Sequence, residues 1–321
     1  MDLTHLMMKA IQIKLKVKLG WNINANEKVG TRITAKYLIK EDGIYPYVSA
    51  RNIRYGIRQK FLEKGYEIDW YKWESQKKEL KDSADPIKYV DNDIFGYLYP
   101  IGDIGSIKRV SPVWTSPWLS DEPIELSTDQ LGKFPRKEGQ PMLAENEVYP
   151  PTIGTVYFVI TDRIGKFDYY EVFSKESEEF VRKIVSEKKG SKKGELSKEI
   201  ENKFNEFNEY IKNGYINKED DKYVLVKDLK NRSRYDRIKD LLTILLKEGW
   251  IPARKAQYLY LPEYIKAEIY AVNGIKSFSI LEKRDIASDK DFIEKRILLD
   301  YKEDTEKKIE DIIEKLSKFL Q

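Results

Sequence analysis

Residues 11–19 alternate between apolar and polar side chains in the stretch IQIKLKVKL. The apolar positions are Ile11, Ile13, Leu15, Val17 and Leu19, and three of the residues between them are Lys14, Lys16 and Lys18. Because successive side chains of a strand point to opposite faces of a sheet, this pattern predicts a half-buried strand with one basic face. Residues 31–39 predict a second strand, which ends at the turn-forming Glu41-Asp42-Gly43.

Apolar residues at helical spacing predict five helices. These helices span residues 49–64, 174–188, 195–212, 235–248 and 303–320. Ser49 is a suitable N-cap for the first of them, and Gly65 is a stop signal. The basic stretch KKGSKKG between the second and third helices predicts a flexible linker over residues 188–194. Further strands are predicted at residues 107–116, 155–162 and 264–272.

The segment from residue 117 to residue 152 shows neither the alternation of a strand nor the apolar spacing of a helix. Seven of the twelve prolines of the chain lie between Pro112 and Pro151. We therefore predict a long irregular segment over 117–152. Structureless loops longer than roughly 12–15 residues are uncommon in compact domains and are usually functional or disordered.

Strands and helices thus alternate irregularly along the chain. The order is strand, strand, helix, strand, long loop, strand, helices, strand and helix. This order predicts an α+β fold in which helices cover one face of an antiparallel sheet.

Composition narrows the possible functions. The chain has 321 residues, of which 41% are hydrophobic, and it has no cysteine. Disulfides and thiolate metal sites are therefore excluded, and we expect a cytoplasmic protein with no membrane association. The single histidine is His5. Since most acid–base catalysis and most zinc sites use histidine, the sequence favours a protein that is not an enzyme.

Positive charge is concentrated near the N-terminus. Residues 1–60 hold 12 Lys and Arg against 4 Asp and Glu, although the net charge of the whole chain is only +4. This asymmetry indicates a local site for a polyanion. An ordinary solvated lysine face remains the alternative.

The helix predicted at 49–64 has the most distinctive pattern of the chain. At 100° per residue, Arg51, Arg54 and Arg58 fall within about a 60° arc. No acidic residue lies in the helix before Glu63. Guanidinium groups fork onto phosphate oxygens and stack on bases, so this stripe predicts a nucleic-acid contact. The alternatives are three solvated arginines, or arginines paired with carboxylates elsewhere in the chain.

Asp91 and Asp93 are a candidate metal-binding pair of the kind that nucleases use. The alternative is a turn followed by a packed Ile-Phe-Gly segment, with Asp93 as its cap.

Three motifs occur in order: YVSARNIRYGIR at 47–58, DNDIFGYL at 91–98 and IKRVSPVWTS at 107–116. Their order and spacing resemble the CRISPR-associated DevR family, the backbone subunits of type I Cascade complexes within the RAMP superfamily. The resemblance covers residues 10–165 well and the C-terminal half loosely.

The resemblance implies a single domain over residues 1–321, with a palm built on a modified RNA-recognition, ferredoxin-like fold. It also implies a helical finger-like insertion at 66–106, a thumb at 117–152 and a mainly helical insertion at 174–248. The residues then expected to contact RNA are Arg32, Lys36, Arg51, Asn52, Arg54, Arg58, Lys108 and Arg109. Those expected to wedge against bases from the thumb are Trp118, Leu119, Met142 and Leu143.

The sequence therefore predicts a non-catalytic subunit that polymerises along CRISPR RNA and presents it to target DNA, beside other Cascade subunits. We expect neither a cofactor nor a metal ion. The rival hypothesis is a metal-dependent RNA endonuclease, as in type III backbone subunits, with Asp91, Asp93 or Asp103 as candidate ligands. A third possibility is a structural protein that binds no nucleic acid.

Overall fold

The structure, a computed structural model, describes residues 8–20, 28–70, 72–74, 79–101, 105–134, 139–140, 142–187, 192–251, 262–275 and 293–321. The strands, in chain order, are β1 (Met8–Leu19), β2 (Lys28–Val29), β3 (Arg32–Ile33), β4 (Tyr37–Lys40), β5 (Gly43–Val48), β6 (Lys72–Glu74), β7 (Glu79–Lys81), β8 (Tyr97–Ile101), β9 (Gly105–Arg109), β10 (Val113–Thr115), β11 (Trp118–Ser120), β12 (Ser127–Lys133), β13 (Met142–Val148), β14 (Thr152–Thr161), β15 (Lys166–Asp168), β16 (Ile216–Glu219), β17 (Lys222–Leu225), β18 (Glu263–Ile275) and β19 (Ile293–Asp300). The helices are α1 (Ala50–Glu63), α2 (Val90–Phe95), α3 (Lys175–Ser186), α4 (Lys192–Lys212), α5 (Arg234–Thr243) and α6 (Glu306–Leu320). A 3₁₀ turn spans Tyr169–Glu171, and a π-helical turn over Ile244–Glu248 continues α5.

An antiparallel sheet forms the centre of the fold. Its order is β19-β18-β1-β14-β11-β5-β4, and β10 also pairs with β14. The alternation in β1 is confirmed, since its five apolar side chains between Ile11 and Leu19 are fully buried. Lys14 points to the other face, where its strand neighbours are Tyr157 and Glu268. The prediction of an α+β fold with a large antiparallel sheet is therefore confirmed.

Helices α1, α5 and α6 bury their apolar faces against the sheet in one core. In α6 the predicted apolar stripe is buried, namely Ile309, Ile312, Ile313, Leu316 and Leu320. Burial of such a stripe, rather than intrinsic propensity, supplies most of the stability of a helix in a folded protein. None of the helices within the described ranges is long and apolar enough to span a membrane.

The prediction of an irregular segment over 117–152 is wrong. Trp118 begins a strand of the central sheet, and β12 and β13 form a regular antiparallel hairpin. This hairpin belongs to a separate four-stranded sheet of order β12-β13-β3-β2. The prolines misled the prediction because most of them flank these strands rather than interrupt them.

The regions predicted as two separate insertions pack against each other. Tyr99 in β8 donates to Glu199 in α4, and Tyr210 in α4 donates to Asp85 at 2.7 Å. Two smaller apolar clusters result, and they combine β8 and β9 with α3, α4 and β15–β17. Helix α5, at the end of the predicted 174–248 insertion, belongs instead to the main core.

The strand predicted at 107–116 is two strands in two sheets. β9 pairs with β8, while β10 joins the central sheet. Gly96, with φ of 73°, makes the tight connection from α2 to β8. A Cβ there would lie 2.2 Å from the carbonyl oxygen of Arg109, so only glycine fits this approach.

Candidate nucleic-acid interface

Helix α1 follows directly from strand β5 of the central sheet. Its buried face consists of Ile53, Gly56, Ile57 and Phe61. A Cβ on Gly56 would lie 2.4 Å from the carbonyl oxygen of Ile251, so the helix packs closely against the backbone there. The first turn of α1 has no acidic residue, and the Ser49 side chain forms no cap hydrogen bond. The partial positive charge of this helix end is therefore not offset within the helix.

The three arginines of α1 have different environments. Arg51 is exposed and forms no hydrogen bond or ion pair with the part of the chain that the structure describes. Arg54 is half-buried and donates to the Val113 carbonyl at 3.3 Å. Arg58 donates from Nε to Asp91 Oδ2 at 2.9 Å, with a side chain that is only 15% exposed.

Phe95 lies under two of these guanidinium groups. The Arg54 and Arg58 guanidinium carbons are 5.3 and 4.9 Å from its ring centroid. Such cation–π contacts hold long side chains in place. Because Arg58 also pairs with Asp91, the alternative of an arginine paired with a distant carboxylate is correct for this residue.

Asp91 is buried in α2 and is fully engaged. Its Oδ1 accepts from the Asp69 amide at 2.9 Å, while Oδ2 accepts from Arg58. Burial raises the pKa of Asp91, and the Arg58 charge offsets part of that rise. A carboxylate in these contacts ties α1 to the chain near residue 69 and has no free oxygen to offer a metal ion.

Asp93 is fully buried at the centre of an ion-pair network. It accepts from Arg109 Nη2 at 2.7 Å, from Arg237 Nη1 at 2.9 Å and from the Gly165 amide. The Asp91/Asp93 metal pair is therefore not supported. The alternative hypothesis of a packed Ile-Phe-Gly segment agrees with the burial of Ile94 and Phe95, although helix α2 stands where a turn was expected. Asp103 lies outside the described residues.

The prediction that Arg109 contacts RNA is wrong. Its side chain is fully buried and also pairs with Glu171 at 3.0 Å. Its guanidinium group donates as well to the backbone carbonyls of Asp93, Arg163 and Lys166. A sequence cannot distinguish this arginine from the exposed Lys108 beside it, because its partners come from distant parts of the chain.

Of the other predicted basic residues, Lys36 directly precedes β4, which pairs with the strand that leads into α1. Its carbonyl accepts from the Tyr47 amide at 3.0 Å, two residues before Ser49. Asn52 is half-buried in the first turn of α1. The Arg32 side chain is 46% exposed and pairs with Glu147 at 2.7 Å in the small sheet.

Lys108 is linked to Arg58 only indirectly, through Leu98 and Asp82. It lies exposed on β9 opposite Leu98, whose amide donates to Asp82 at 2.9 Å. Burial raises the pKa of Asp82, while the Leu98 amide and the nearby Arg58 charge offset part of the rise. Lys108 and Arg51 are thus both exposed, and their contact with RNA stays a prediction.

The predicted thumb residues divide into buried and exposed. Trp118 is fully buried, and its indole nitrogen donates to the Val17 carbonyl at 2.9 Å, so its assignment to a thumb is wrong. Leu119 is half-buried between β5 and β14 and is likewise part of the central sheet. Leu143 is 57% exposed on the hairpin, and the side chain of Met142 lies outside the described residues.

Sequence reasoning missed the exposed Phe134 at the end of β12, which is 73% exposed. It also missed an exposed aromatic pair, Tyr55 and Trp70, whose ring centroids lie 6.0 Å apart beside the arginine stripe. The position of Tyr55 four residues after Arg51 was a usable signal, because residues i and i+4 share a helix face.

Comparisons with known proteins bear only on the fold. No protein-family model and no curated protein matches the chain. One solved structure, described as "CRISPR RNA-guided surveillance complex", matches over 96% of this chain and 98% of its own, with a TM-score of 0.46 and 8% sequence identity. Similarity at this level does not decide function, which has to be argued from the geometry of the site.

Proposed function

We propose that the chain binds single-stranded RNA along the outer face of α1, as a non-catalytic backbone subunit of a CRISPR surveillance complex. The observation that carries this proposal is the N-terminal half of α1. There the Arg51 side chain is exposed and the first turn has no acidic residue, while the backbone of Lys36 pairs with Tyr47, two residues before Ser49. Guanidinium groups and helix N-termini both favour phosphate.

Binding of this kind is independent of base sequence. Arg51 would contact phosphate directly, while Arg54 would add positive charge from a fixed position over Phe95. The charge of Arg58 is already balanced by Asp91. Contacts to phosphate set the position and direction of a strand without reading its bases. A subunit that must accept any guide sequence needs this property, and the guide bases remain available for pairing with target DNA.

The β12–β13 hairpin is our candidate for the thumb that reaches a neighbouring copy. It belongs to a sheet separate from the core, and both Phe134 and Leu143 are exposed on it. Exposed apolar side chains at a hairpin end are suited to contact bases or a second subunit. We propose that copies of the chain polymerise along guide RNA through this hairpin, beside other subunits of the complex in the cytoplasm.

The engagement of Asp91 and Asp93 by arginines supports a non-catalytic role. We expect no cleavage of guide RNA or complementary RNA when the protein is incubated with Mg²⁺ or Mn²⁺. Cleavage that depends on the metal and is lost in Asp103→Ala would favour the endonuclease hypothesis instead.

The proposed function is tested by the nucleic acid that the protein carries. We expect chain produced in cells together with a CRISPR array to co-purify with RNA of uniform length, protected from added ribonuclease. Protein that is free of RNA and fails to retard single-stranded RNA in a gel would contradict the proposal.

A further inference from the structure

Two large aromatic side chains are exposed side by side next to the arginines of α1. Tyr55 is 41% exposed and Trp70 is 49% exposed. Their ring centroids are 6.0 Å apart and their planes are inclined at 56°. Rings of this size normally bury most of their surface, and an exposed pair beside an exposed arginine is suited to bind a further aromatic group.

The position of Tyr55 places this pair on the proposed RNA path. Tyr55 lies four residues after Arg51, so the phenol ring and the guanidinium group share one face of α1. Arg51 is exposed there, whereas Arg58 is held inward by Asp91. The outer face of the helix therefore offers a cation followed by an aromatic surface, a combination that suits a phosphate and its base.

The backbone that leads into Trp70 is held in place before any ligand binds. The preceding residue, Asp69, is buried, and its carboxylate accepts from the Ser83 amide at 2.6 Å and from Asn92 Nδ2 at 3.1 Å. The Asp69 amide donates to Asp91, the same carboxylate that accepts from Arg58 of α1. One buried carboxylate thus fixes the distance between the helix that carries Tyr55 and the segment that carries Trp70.

We infer that Tyr55 and Trp70 form a stacking site for one base of the RNA strand whose phosphate lies on Arg51. This inference rests on the proposed function and adds a base contact to it. Stacking accepts every base because each has an aromatic face, so the site preserves binding that is independent of sequence. A protein partner is less consistent with the site, because an exposed cation adjoins the rings and no acidic residue lies in the first turn of the helix.

The test compares two single strands of equal length, one an ordinary RNA and the other abasic, bound to wild type and variants. The chain supplies a matched control in a second exposed pair, Tyr170 and Phe180, which are 63% and 42% exposed with centroids 6.1 Å apart. We expect Trp70→Ala to weaken binding of ordinary RNA by roughly 5- to 150-fold. Its salt dependence and its binding of the abasic strand should be unchanged, Trp70→Phe should restore most of the affinity, and Tyr170→Ala should have no effect.

Three results would overturn the inference. If Trp70→Ala and Tyr55→Ala bind ordinary RNA as the wild type does while Arg51→Ala binds it weakly, the stacking site is wrong and the proposed function stands. Equal losses for ordinary and abasic strands would show that the rings only support the local fold. If the wild type binds neither strand, both the inference and the proposed function fail.

Discussion

Arg51 and Arg109 carry the same charge but occupy opposite environments. Arg109 is fully buried and is neutralised by Asp93 and Glu171, whereas Arg51 is exposed at the start of α1. A buried guanidinium group without a counter-charge would be very costly, so Arg109 depends on the fold and cannot leave it for a ligand. The number of basic residues in the sequence therefore overstates the size of the interface.

Asp93 should be among the most sensitive positions for stability. Removing its carboxylate leaves Arg109 and Arg237 buried without their shared counter-ion. We expect Asp93→Ala to lower the free energy of unfolding by about 3–5 kcal/mol, measured by urea denaturation. The control is Asp121→Ala, which breaks a partly exposed pair with Lys16 and should cost about 1 kcal/mol or less. Equal costs for the two variants would show that the buried network does not stabilise the fold.

Part of the free energy of unfolding should depend on pH through Glu176. Burial raises its pKa, but hydrogen bonds from Lys218 and Tyr223 together outweigh this effect and lower the pKa to about 2, from an ordinary value of 4.5. Because the folded form holds the ionised carboxylate, this stabilisation is complete above pH 4.5 and is lost as the pH falls toward 2.

We therefore expect Glu176→Gln to be less stable than the wild type by about 1 kcal/mol near neutral pH and nearly equal to it below about pH 2. Tyr223→Phe, which removes one of the two hydrogen bonds, should have a smaller effect of the same sign. Chemical denaturation across this pH range measures both differences. A gap between Glu176→Gln and the wild type that stays constant with pH would disprove the assignment.

Helix α1 shows what a local pattern can and cannot predict. The sequence predicted a helix over 49–64, and the structure has it at Ala50–Glu63 with Ile53 and Ile57 buried. The partner of Arg58 was not predictable, because Asp91 lies 33 residues away in the chain and meets it only in the folded protein. The sequence pattern thus predicted the helix and its buried face correctly, but it did not show which arginines are free to bind a ligand.

The β12–β13 hairpin was hidden from the sequence pattern for a related reason. Its sheet partner β3 belongs to a segment about a hundred residues earlier. Strand β12 is mostly polar and the apolar residues of β13 are grouped at its two ends, so both strands lack the alternation that marks a half-buried strand. Trp118, by contrast, was an apolar residue read as exposed because prolines surround it. Prolines are poor guides to exposure, since they restrict the backbone without deciding which side chains the core takes up.

Shortening the hairpin should separate assembly from folding. We expect replacement of residues 131–143 by a short Gly-Ser turn to keep the melting temperature of the monomer within about 2 °C, because the core lies elsewhere. Glu147 is retained, since it binds Arg32 and accepts from the Ala35 amide at 3.0 Å. The same variant should lose cooperative binding to long RNA while keeping its weak binding to short RNA.

Trp118→Ala is the control that shows the sensitivity of this measurement. It should lower the free energy of unfolding by about 3–5 kcal/mol, because it empties a fully buried site in the core. Normal cooperative assembly by the shortened chain would show that the hairpin is not the thumb.

At the scale of the whole molecule, the sequence predicted the class of fold but not the way its parts assemble. Regions 66–106 and 174–248 meet through contacts such as Tyr210 to Asp85, which are 125 residues apart. Arg237 of α5 then joins that region to the core, since it donates to the Pro86 carbonyl at 2.7 Å and to Asp93. Contacts over such separations are set by tertiary packing, on which periodicity carries no information.

Arg51 is the residue that most directly tests whether the outer face of α1 binds the RNA backbone. Affinity for single-stranded RNA should be measured over a series of salt concentrations for wild type, Arg51→Ala and Arg182→Ala. Arg182 serves as the control because it is an arginine with a 71% exposed side chain on α3. We expect Arg51→Ala to bind more weakly, with the slope of log affinity against log salt reduced by about 0.7 for each phosphate that the variant no longer neutralises. Arg182→Ala should match the wild type. Identical affinity and slope for wild type and Arg51→Ala would contradict the claim that RNA lies along α1.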